Sequence, residues 1–372
     1  MEIRWAKPDD INTLSQLWLT CFGDDQTFRD WFFANRFWTN FCLTACEDGS
    51  PVGAVYGLPT HLWIREKVVP AVIIGGVSTH PDHRGKGIMH RLFTDFMVEM
   101  NRRGIPLTFL HPVREDLYFS LEHYTCSDRG LLTLHANAPR PALPENVVET
   151  DVGKCIGQLH RCYQNYILPY SGPVWRSEDD FGFKTNDYAA GGAKLIAALN
   201  DRGDVEGYCY YFKDNHSVMG EECVALNRNA FYRLTAKLAH IAAGLELTVK
   251  LPADNLPALS NAHTEVKPWG CMGAAHLPVL IKALCKGQPG FSIEVTDPVV
   301  PANNGIFDLY GRTTKQPPQV KLSAGRLVQW LSGYRSLAQL AAEGYAQIFD
   351  IAAVQQLDSL LPTQNCLCSE EY

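Results

Sequence analysis

The 372-residue sequence has no uninterrupted apolar run of the roughly 18 to 20 residues that a membrane-spanning helix needs. Its start, Met-Glu-Ile-Arg-Trp, lacks a basic stretch followed by an apolar one, so we expect no signal peptide and no membrane partner. An excess of basic residues is also missing, because the net charge is −7, whereas nucleic-acid-binding proteins are usually basic. We therefore predict a cytoplasmic protein without a nucleic-acid partner.

The composition indicates a folded protein of more than one domain. Hydrophobic residues make up 46% of the chain and charged residues 20%, which excludes global disorder. The length suggests two or three domains. The twelve cysteines include no Cys-x-x-Cys pair and no four-ligand spacing, so we expect reduced, mostly buried thiols. A structural zinc is the less favoured alternative.

Two proline- and glycine-rich stretches divide the sequence. Pro139, Pro141 and Pro144 lie close together, where their fixed φ and missing N–H donors favour a linker. The second break reads Lys-Gly-Gln-Pro-Gly at 286–290. The domains predicted from these breaks are 1–137, 145–283 and 287–372.

The apolar periodicity predicts an α+β protein. In the first segment, a strand at 68–79 precedes a turn, an amphipathic helix at 87–103, a strand at 105–111 and a short helix at 115–123. The middle segment is predicted to be helical at 152–167, 189–199 and 230–243, and extended at 205–213, 217–226 and 246–251. The last segment is predicted to have strands at 291–295 and 305–310, and helices at 323–331, 336–343 and 351–361.

One loop carries most of the chemical information. Residues 75–90 read Gly-Gly-Val-Ser-Thr-His-Pro-Asp-His-Arg-Gly-Lys-Gly-Ile-Met-His. Gly85 and Gly87 allow the backbone to approach a ligand closely, and the N–H groups at the start of the following helix favour an anion. Arg84 and Lys86 add positive charge. We interpret the loop as a pyrophosphate-binding site; the alternative is a plain, solvated strand-to-helix turn.

Two other phosphate-binding motifs do not fit this loop. A Walker-type loop needs Gly-Lys-Ser/Thr, whereas Lys86 is followed by Gly87. A dinucleotide-binding Gly-x-Gly-x-x-Gly fingerprint would need a third glycine where the chain has His90. If the loop binds a pyrophosphate, it therefore does so through neither of these two motifs.

Residues 84–88 resemble the (Arg/Gln)-x-x-Gly-x-(Gly/Ala) loop of the GNAT acyltransferases, with Met89 in the last place as a departure. The longer stretch 77–89 is similar to the acetyl-CoA motif of the enhanced intracellular survival (Eis) acetyltransferases. Two further stretches, 110–124 with Tyr118 and 322–335, resemble the tyrosine-bearing passage and a C-terminal helix of that family. The resemblance therefore covers essentially the whole chain.

The sequence departs from the family at two places. The tyrosine passage usually continues Arg-Phe-Gly-Tyr, whereas residues 121–124 are Leu-Glu-His-Tyr. An arginine-bearing strand of the family is replaced by Trp-Gly-Cys-Met-Gly-Ala-Ala-His at 269–276. These departures affect the acceptor pocket more than the CoA site.

The resemblance implies tandem GNAT domains with mixed, splayed sheets, of which the second is degenerate, and a sterol-carrier-protein-like α+β domain whose tail reaches the active site. It implies acetyl-CoA as co-substrate, an amine acceptor such as an aminoglycoside, a polyamine or a lysine, and a homo-oligomer, a trimer or a hexamer. The reaction needs no metal, so none is expected. The residues that would bind acetyl-CoA are Val77, Ser78, Thr79, Arg84, Gly85, Lys86, Gly87, Ile88, Met89 and His90.

The catalytic roles also come from the resemblance. Tyr118 matches the family's general acid, and the α-carboxylate of Tyr372 would be the general base. Asp24 and Glu371 fall where family members place acids near the acceptor amine, with plain surface acids as the alternative. From their spacing along a predicted helix, Phe28 and Trp31 are expected to line the acceptor pocket, with a place in the core as the alternative. A lipid carrier acting through the C-terminal domain is the alternative function, although it would leave the loop at Arg84 unexplained.

Overall fold

The computed structural model describes residues 1–23, 25–150, 153, 155–257, 262–285 and 287–370. The chain forms two compact units. The first comprises Met1–Ser127, Tyr170–Val174 and Trp269–Tyr372, and the second Asp128–Pro169 and Trp175–Pro268. Within the described residues, every helix is too short or too polar to cross a membrane. The three-domain division of the sequence stays a prediction.

Strands and helices alternate along most of the chain, which confirms the predicted α+β class. The strands are β1 (Glu2–Trp5), β2 (Cys42–Glu47), β3 (Ser50–Ile64), β4 (Lys67–Thr79), β5 (Leu107–Leu110), β6 (Tyr124–Leu134), β7 (Val147–Glu149), β8 (Lys194–Leu199), β9 (Val205–Lys213), β10 (Ser217–Ala225), β11 (Glu246–Pro252), β12 (Ala262–Ala274), β13 (Ser292–Thr296), β14 (Gly305–Asp308), β15 (Val320–Ser323) and β16 (Ala346–Ile348). The helices are α1 (Ile11–Phe22), α2 (Gln26–Asn35), α3 (Ile88–Arg102), α4 (Asp116–Phe119), α5 (Ile156–Ile167), α6 (Glu178–Ala190), α7 (Arg228–Ile241), α8 (Leu277–Leu284), α9 (Ala324–Ser332), α10 (Leu337–Ala342) and α11 (Ile351–Leu360).

The sheet of the first unit has the strand order β1-β2-β3-β4-β5-β12. Among the described strands of this sheet, β4 and β5 are the parallel pair, and α3 connects them. The predicted apolar stripe of α3 is buried against this sheet, with Leu92, Phe93 and Phe96 fully enclosed. Burial of this stripe fixes the face that α3 turns to the sheet, and the eight-residue connection from Thr79 places the start of α3 near the end of β4.

The C-terminal part of the first unit forms its own sheet, in the order β14-β13-β15-β16, covered by α9, α10 and α11. Trp330 of α9 is fully buried, and its Nε1 donates to Asp358 Oδ1 at 3.0 Å. Ser336 caps α10 by accepting from Gln339 N. The Trp330 side chain therefore fills part of the space between this sheet and its helices.

The sheet of the second unit has the order β6-β11-β10-β9-β8-β7, with a parallel pair at β10 and β11. The predicted helix at 189–199 is wrong, because α6 ends at Ala190 and β8 occupies Lys194–Leu199. Gly191 and Gly192 separate the two elements. The apolar run after them is buried as a strand, a choice that periodicity alone cannot make for so short a segment.

Candidate active site

The strands β4 and β5 separate in the middle of the sheet and form a fork. Their parallel pairing is confined to Ala71–Ile73 and Leu107–Phe109, although β4 continues to Thr79. A β-bulge interrupts the β3–β4 register, where Tyr56 pairs with Gly76 and Gly57 with Ile74. A bulge bends its strand and increases its twist. The last residues of β4 therefore present backbone groups that β5 does not use.

The connection from β4 to α3 leaves backbone N–H groups accessible. A short 3-10 turn at Pro81–His83 leads to Gly85 and Gly87, whose φ angles of +76° and +73° favour glycine. Gly87 precedes α3 without a side-chain cap, and a Cβ at either glycine would meet nothing within 4 Å. The first turn of α3 thus offers free donors to an open space, which suits an anion.

The charges of this loop are mostly exposed and positive. Arg84 donates from Nε to Thr79 O at 3.2 Å, and Lys86 is exposed. His83 Nε2 lies 2.7 Å from Glu47 Oε2, and this contact lowers the pKa of the Glu47 carboxyl. The hydrogen bond to Thr79 O therefore holds the Arg84 side chain close to the end of β4.

The predicted CoA-binding residues divide into those that offer side chains and those that offer only backbone. Ile88 packs its side chain into the core, and Met89 packs partly against it, so each can offer chiefly its N–H. His90 is exposed, whereas Ser78 is buried. Val77 and Thr79 are half-buried on the separated part of β4.

Tyr118 lies on the β5 side of the fork, in α4. Its ring centroid is 5.7 Å from that of Phe93, and burial raises the pKa of its phenol. The Tyr118 carbonyl accepts from both Leu121 N and His123 N, which closes a tight turn. The phenol is therefore partly buried and protonated at neutral pH, as a proton donor must be.

The side chains of Glu122 and His123 hold this turn from its other end through three contacts. Glu122, with a φ of +55°, accepts from Gly325 N at 2.9 Å through Oε2. His123 donates from Nδ1 to Leu121 O at 2.8 Å, and its Nε2 lies 2.7 Å from Thr108 Oγ1. Complete burial lowers the pKa of His123 to about 4, so the imidazole is neutral. Apart from the departure from the family at 121–123, no feature of the sequence indicated these partners.

Tyr124 has a different environment from Tyr118. Its ring stacks on Phe119 at 5.5 Å, and the guanidinium of Arg326 lies 3.8 Å from its centroid. Its hydroxyl is 3.5 Å from Glu122 Oε1. The Tyr124 ring therefore contacts both α4, through Phe119, and α9, through Arg326.

The C-terminal tail is docked as far as the structure describes it. Ser171 N donates to Asn365 O at 2.9 Å, and Leu367 N donates to Ser171 O at 3.0 Å. Further along, Val174 N donates to Ser369 Oγ at 2.9 Å. The tail is thus fixed by main-chain bonds like those of an added strand.

The docked tail approaches the fork. A Cβ at Gly270 of β12 would be 2.9 Å from Cys368 Cβ and 2.9 Å from the Phe109 ring, and Phe109 is the last β5 residue paired with β4. Glu370 is 4% exposed. Glu371 and Tyr372 lie outside the described residues.

The predicted acceptor residues on α2 are only partly enclosed. Phe28 and Trp31 are half-buried, whereas Phe32, the residue after Trp31, is fully buried and stacks on Trp18 at 4.5 Å. Asp24 lies outside the described residues. Phe28 and Trp31 thus keep part of their apolar surface accessible on α2.

Nine of the twelve cysteines are buried, which confirms the expectation of mostly buried thiols. Burial raises the pKa of Cys126 and of Cys271 to about 12. Both thiols are therefore protonated and unsuited to nucleophilic attack. Within the residues that the structure describes, no three His, Cys, Asp or Glu side chains form a metal-binding group.

Comparisons with known proteins agree with this geometry. Residues 2–124 match the acetyltransferase (GNAT) domain family, and residues 281–369 match the sterol carrier protein domain family. No curated protein matches the chain.

Several solved structures share the fold along the whole chain. A conserved protein of unknown function from Enterococcus faecalis V583, described as a probable N-acyltransferase, is 18% identical with a TM-score of 0.85, and the match covers 100% of this chain and 99% of that one. Eis1 from Mycobacterium abscessus is 14% identical with a TM-score of 0.77, and a GCN5-related N-acetyltransferase from Anabaena variabilis is 15% identical with a TM-score of 0.79; both matches cover 100% of each chain.

These findings confirm the predicted fold and the prediction that the chain is an enzyme of the N-acetyltransferase class. The chain combines a GNAT acetyltransferase domain with a sterol carrier protein domain, which is the Eis-like arrangement that its sequence resembles.

Proposed function

We propose that the protein transfers the acetyl group of acetyl-CoA to a primary amine, by direct attack of the amine within a ternary complex. The observation that carries this proposal is the fork between β4 and β5, which runs into the uncapped start of α3 through two glycines with open space beside them. One such surface can hold both the amide-bearing arm and the phosphates of CoA. The acceptor is an aminoglycoside, a polyamine or a lysine-type amine.

The loop and the strand divide the binding of acetyl-CoA. The N–H groups of residues 85–90 and the cations of Arg84 and Lys86 hold the pyrophosphate. The free edge of β4 at Val77, Ser78 and Thr79 hydrogen-bonds the pantetheine arm and the thioester oxygen. Donors aimed at that oxygen stabilise the charge that develops on it during attack.

Tyr118 is the proposed general acid. As the amine nitrogen forms its bond to the carbonyl carbon and the carbon–sulfur bond breaks, the phenol donates its proton to the departing thiolate. The raised pKa of the Tyr118 phenol keeps that proton available at neutral pH. Tyr124 is the less suitable donor, because its ring is held between Phe119 and Arg326.

The α-carboxylate of Tyr372 is the proposed general base, and Asp24, Glu371, Phe28 and Trp31 are proposed to contact the acceptor. Both proposals are supported by the tail, which is docked as far as the structure describes it, up to the buried Glu370, and lies beside β12 and β5. Carboxylates at the mouth favour a cationic amine, and aromatic surfaces favour its approach. A cytoplasmic homo-oligomer, a trimer or a hexamer, remains part of the proposal.

Binding and turnover test the proposal separately. Acetyl-CoA affinity is measured by calorimetry, and released thiol is measured across polyamines, aminoglycosides and lysine peptides. Gly87→Asp places a negative charge in the open space beside the helix start, in a residue type that tolerates positive φ. We expect a loss of several kcal/mol in acetyl-CoA binding.

Gly87→Asn is the matched control, because it adds the same bulk without the charge and should lose distinctly less affinity. Wild-type affinity in Gly87→Asp would contradict the placement of the pyrophosphate. Co-purified lipid, together with no acetyl-CoA binding, would favour the lipid-carrier alternative instead.

A further inference from the structure

The second unit contains a fork of its own, built like the first. Its strands β10 and β11 pair in parallel over Ser217–Gly220 and Glu246–Val249. A β-bulge in the β9–β10 register lies between Gly220 and Glu222, immediately after that pairing ends. Beyond this point β10 continues to pair with β9, and β11 continues to pair with β6. The edges of β10 and β11 that face each other therefore carry backbone N–H and C=O groups that these two pairings do not use.

An ion pair closes the narrow end of this fork. Lys250 Nζ lies 2.5 Å from Glu221 Oε1, and their side chains are 11% and 15% exposed. Glu221 is the extra residue of the bulge, and Lys250 follows the last paired residue of β11. The partly buried pair therefore ties the two strands at the point where they separate.

A cavity of about 590 Å³ occupies the open part of the fork. Cys223 and Ala225 of β10 line one side, and Leu251 and Pro252 of β11 line another. This volume falls within the range of small-molecule sites, roughly 300 to 1,000 Å³. All of the residues that line it belong to the second unit.

The chain connection at the mouth of the cavity is too short to surround the phosphates of CoA. Two residues, Leu226 and Asn227, connect β10 to α7, without the glycine-rich turn found between β4 and α3. Asn227 Oδ1 accepts from Ala230 N at 2.8 Å and so uses one of the donors of the first turn. The exposed Arg228 lines the cavity and forms no ion pair with the described residues. The mouth suits one carboxylate rather than a pyrophosphate.

The remaining wall combines an apolar part with polar groups, among them the side chain of Asn255. Leu226, Phe231, Leu251 and Leu256 line the cavity together with two tyrosines. We propose that this fork binds a small N-acylated amino acid. Its short acyl chain packs on the apolar wall, its amide bonds to the free strand edges, and its carboxylate faces Arg228.

The test is calorimetric titration with N-hexanoylglycine, with and without excess CoA. We expect one site per chain, unaffected by CoA. Hexanoate lacks the amide and N-hexylacetamide lacks the carboxylate, and each should bind about tenfold more weakly. Because no acetyl transfer is measured, this result does not depend on the proposed function.

Two substitutions locate the site. Ala225→Phe fills the cavity and should reduce affinity at least about tenfold, whereas Ala243→Phe at an exposed position should not. Arg228→Gln should reduce the affinity for N-hexanoylglycine about tenfold. Arg202→Gln, at another exposed arginine of this unit, should leave the affinity unchanged.

Arg228 is on the surface, so its variant stays folded even if Ala225→Phe does not. Absent binding at millimolar ligand, displacement by CoA, or wild-type affinity in Arg228→Gln would each overturn the proposal.

Discussion

Replacing Gly325 with alanine adds one methyl group to the C-terminal part of the first unit. We expect this change to lower kcat, although Gly325 is not among the residues proposed to bind a substrate. Gly325 lies in the first turn of α9, directly against the segment that carries Tyr118. A Cβ at this position would be 2.3 Å from Glu122 O and 2.7 Å from the Tyr124 ring. Neither contact can be relieved by rotating the end of a flexible side chain, because one partner is backbone and the other is a stacked ring.

The size of the effect follows from these distances. Real Cβ contacts are essentially never under 3.0 Å, so Gly325→Ala must move α9 and the Glu122 backbone apart by several tenths of an ångström. Glu122 N donates to Phe119 O and His123 N to Tyr118 O, so the shift reaches the Tyr118 turn. A misplacement of 1 Å can cost about 10²-fold in rate. Overpacking costs about 1–3 kcal/mol in the free energy of unfolding.

The assay compares kcat, acetyl-CoA affinity and urea unfolding for Gly325→Ala and Gly157→Ala. Gly157 lies in α5, and a Cβ there would come no closer than 3.7 Å to any atom. That variant should keep its kcat and gain slightly in stability, because alanine favours the helix. We expect kcat to fall about 10- to 10²-fold in Gly325→Ala, with acetyl-CoA affinity preserved. An unchanged kcat in folded Gly325→Ala would refute the coupling of α9 to Tyr118.

Three further predictions concern the same site. Tyr118→Phe should lower kcat about 10²-fold with little change in acetyl-CoA affinity, and Tyr124→Phe should do much less; equal effects would mean that the acid is another group. Deleting Tyr372 or extending the chain beyond it moves the carboxylate by about 3.5 Å or more and should abolish turnover but not acetyl-CoA binding, whereas full activity with a C-terminal tag would exclude it as the base. Because the pKa of His123 falls from 6.5 to about 4 on folding, the unfolded state takes up the proton first, and stability should drop by about 3 kcal/mol as the pH falls from 6.5 towards 4. Urea unfolding of wild type and His123→Asn across this range should show that part of the slope only in wild type.

Local features were the ones that the sequence could predict. The stripe of α3 and the glycines at 85 and 87 act within a few residues of themselves, so their pattern indicates their structure. The partners of Glu122 and His123 could not be found this way. Gly325 is 203 residues from Glu122 along the chain, and only the fold brings its N–H to that carboxylate. The error at 189–199 has the same origin, since a short apolar run becomes a strand or a helix according to what covers it.

The two forks share a similar backbone geometry, but the residues that connect them to the following helix differ. In both units a parallel strand pair ends next to a bulge, at Gly75 in β4 and at Glu221 in β10, so the backbone opens at corresponding places. The chemistry differs because the connections to the following helix differ. Eight residues with two glycines and two cations lead from β4 to α3, whereas two residues lead from β10 to α7. The first connection can surround a pyrophosphate with N–H groups, and the second can offer one arginine to one carboxylate. A glycine-rich turn grafted between Ala225 and Arg228 should therefore be necessary, though not sufficient, for the second fork to bind CoA.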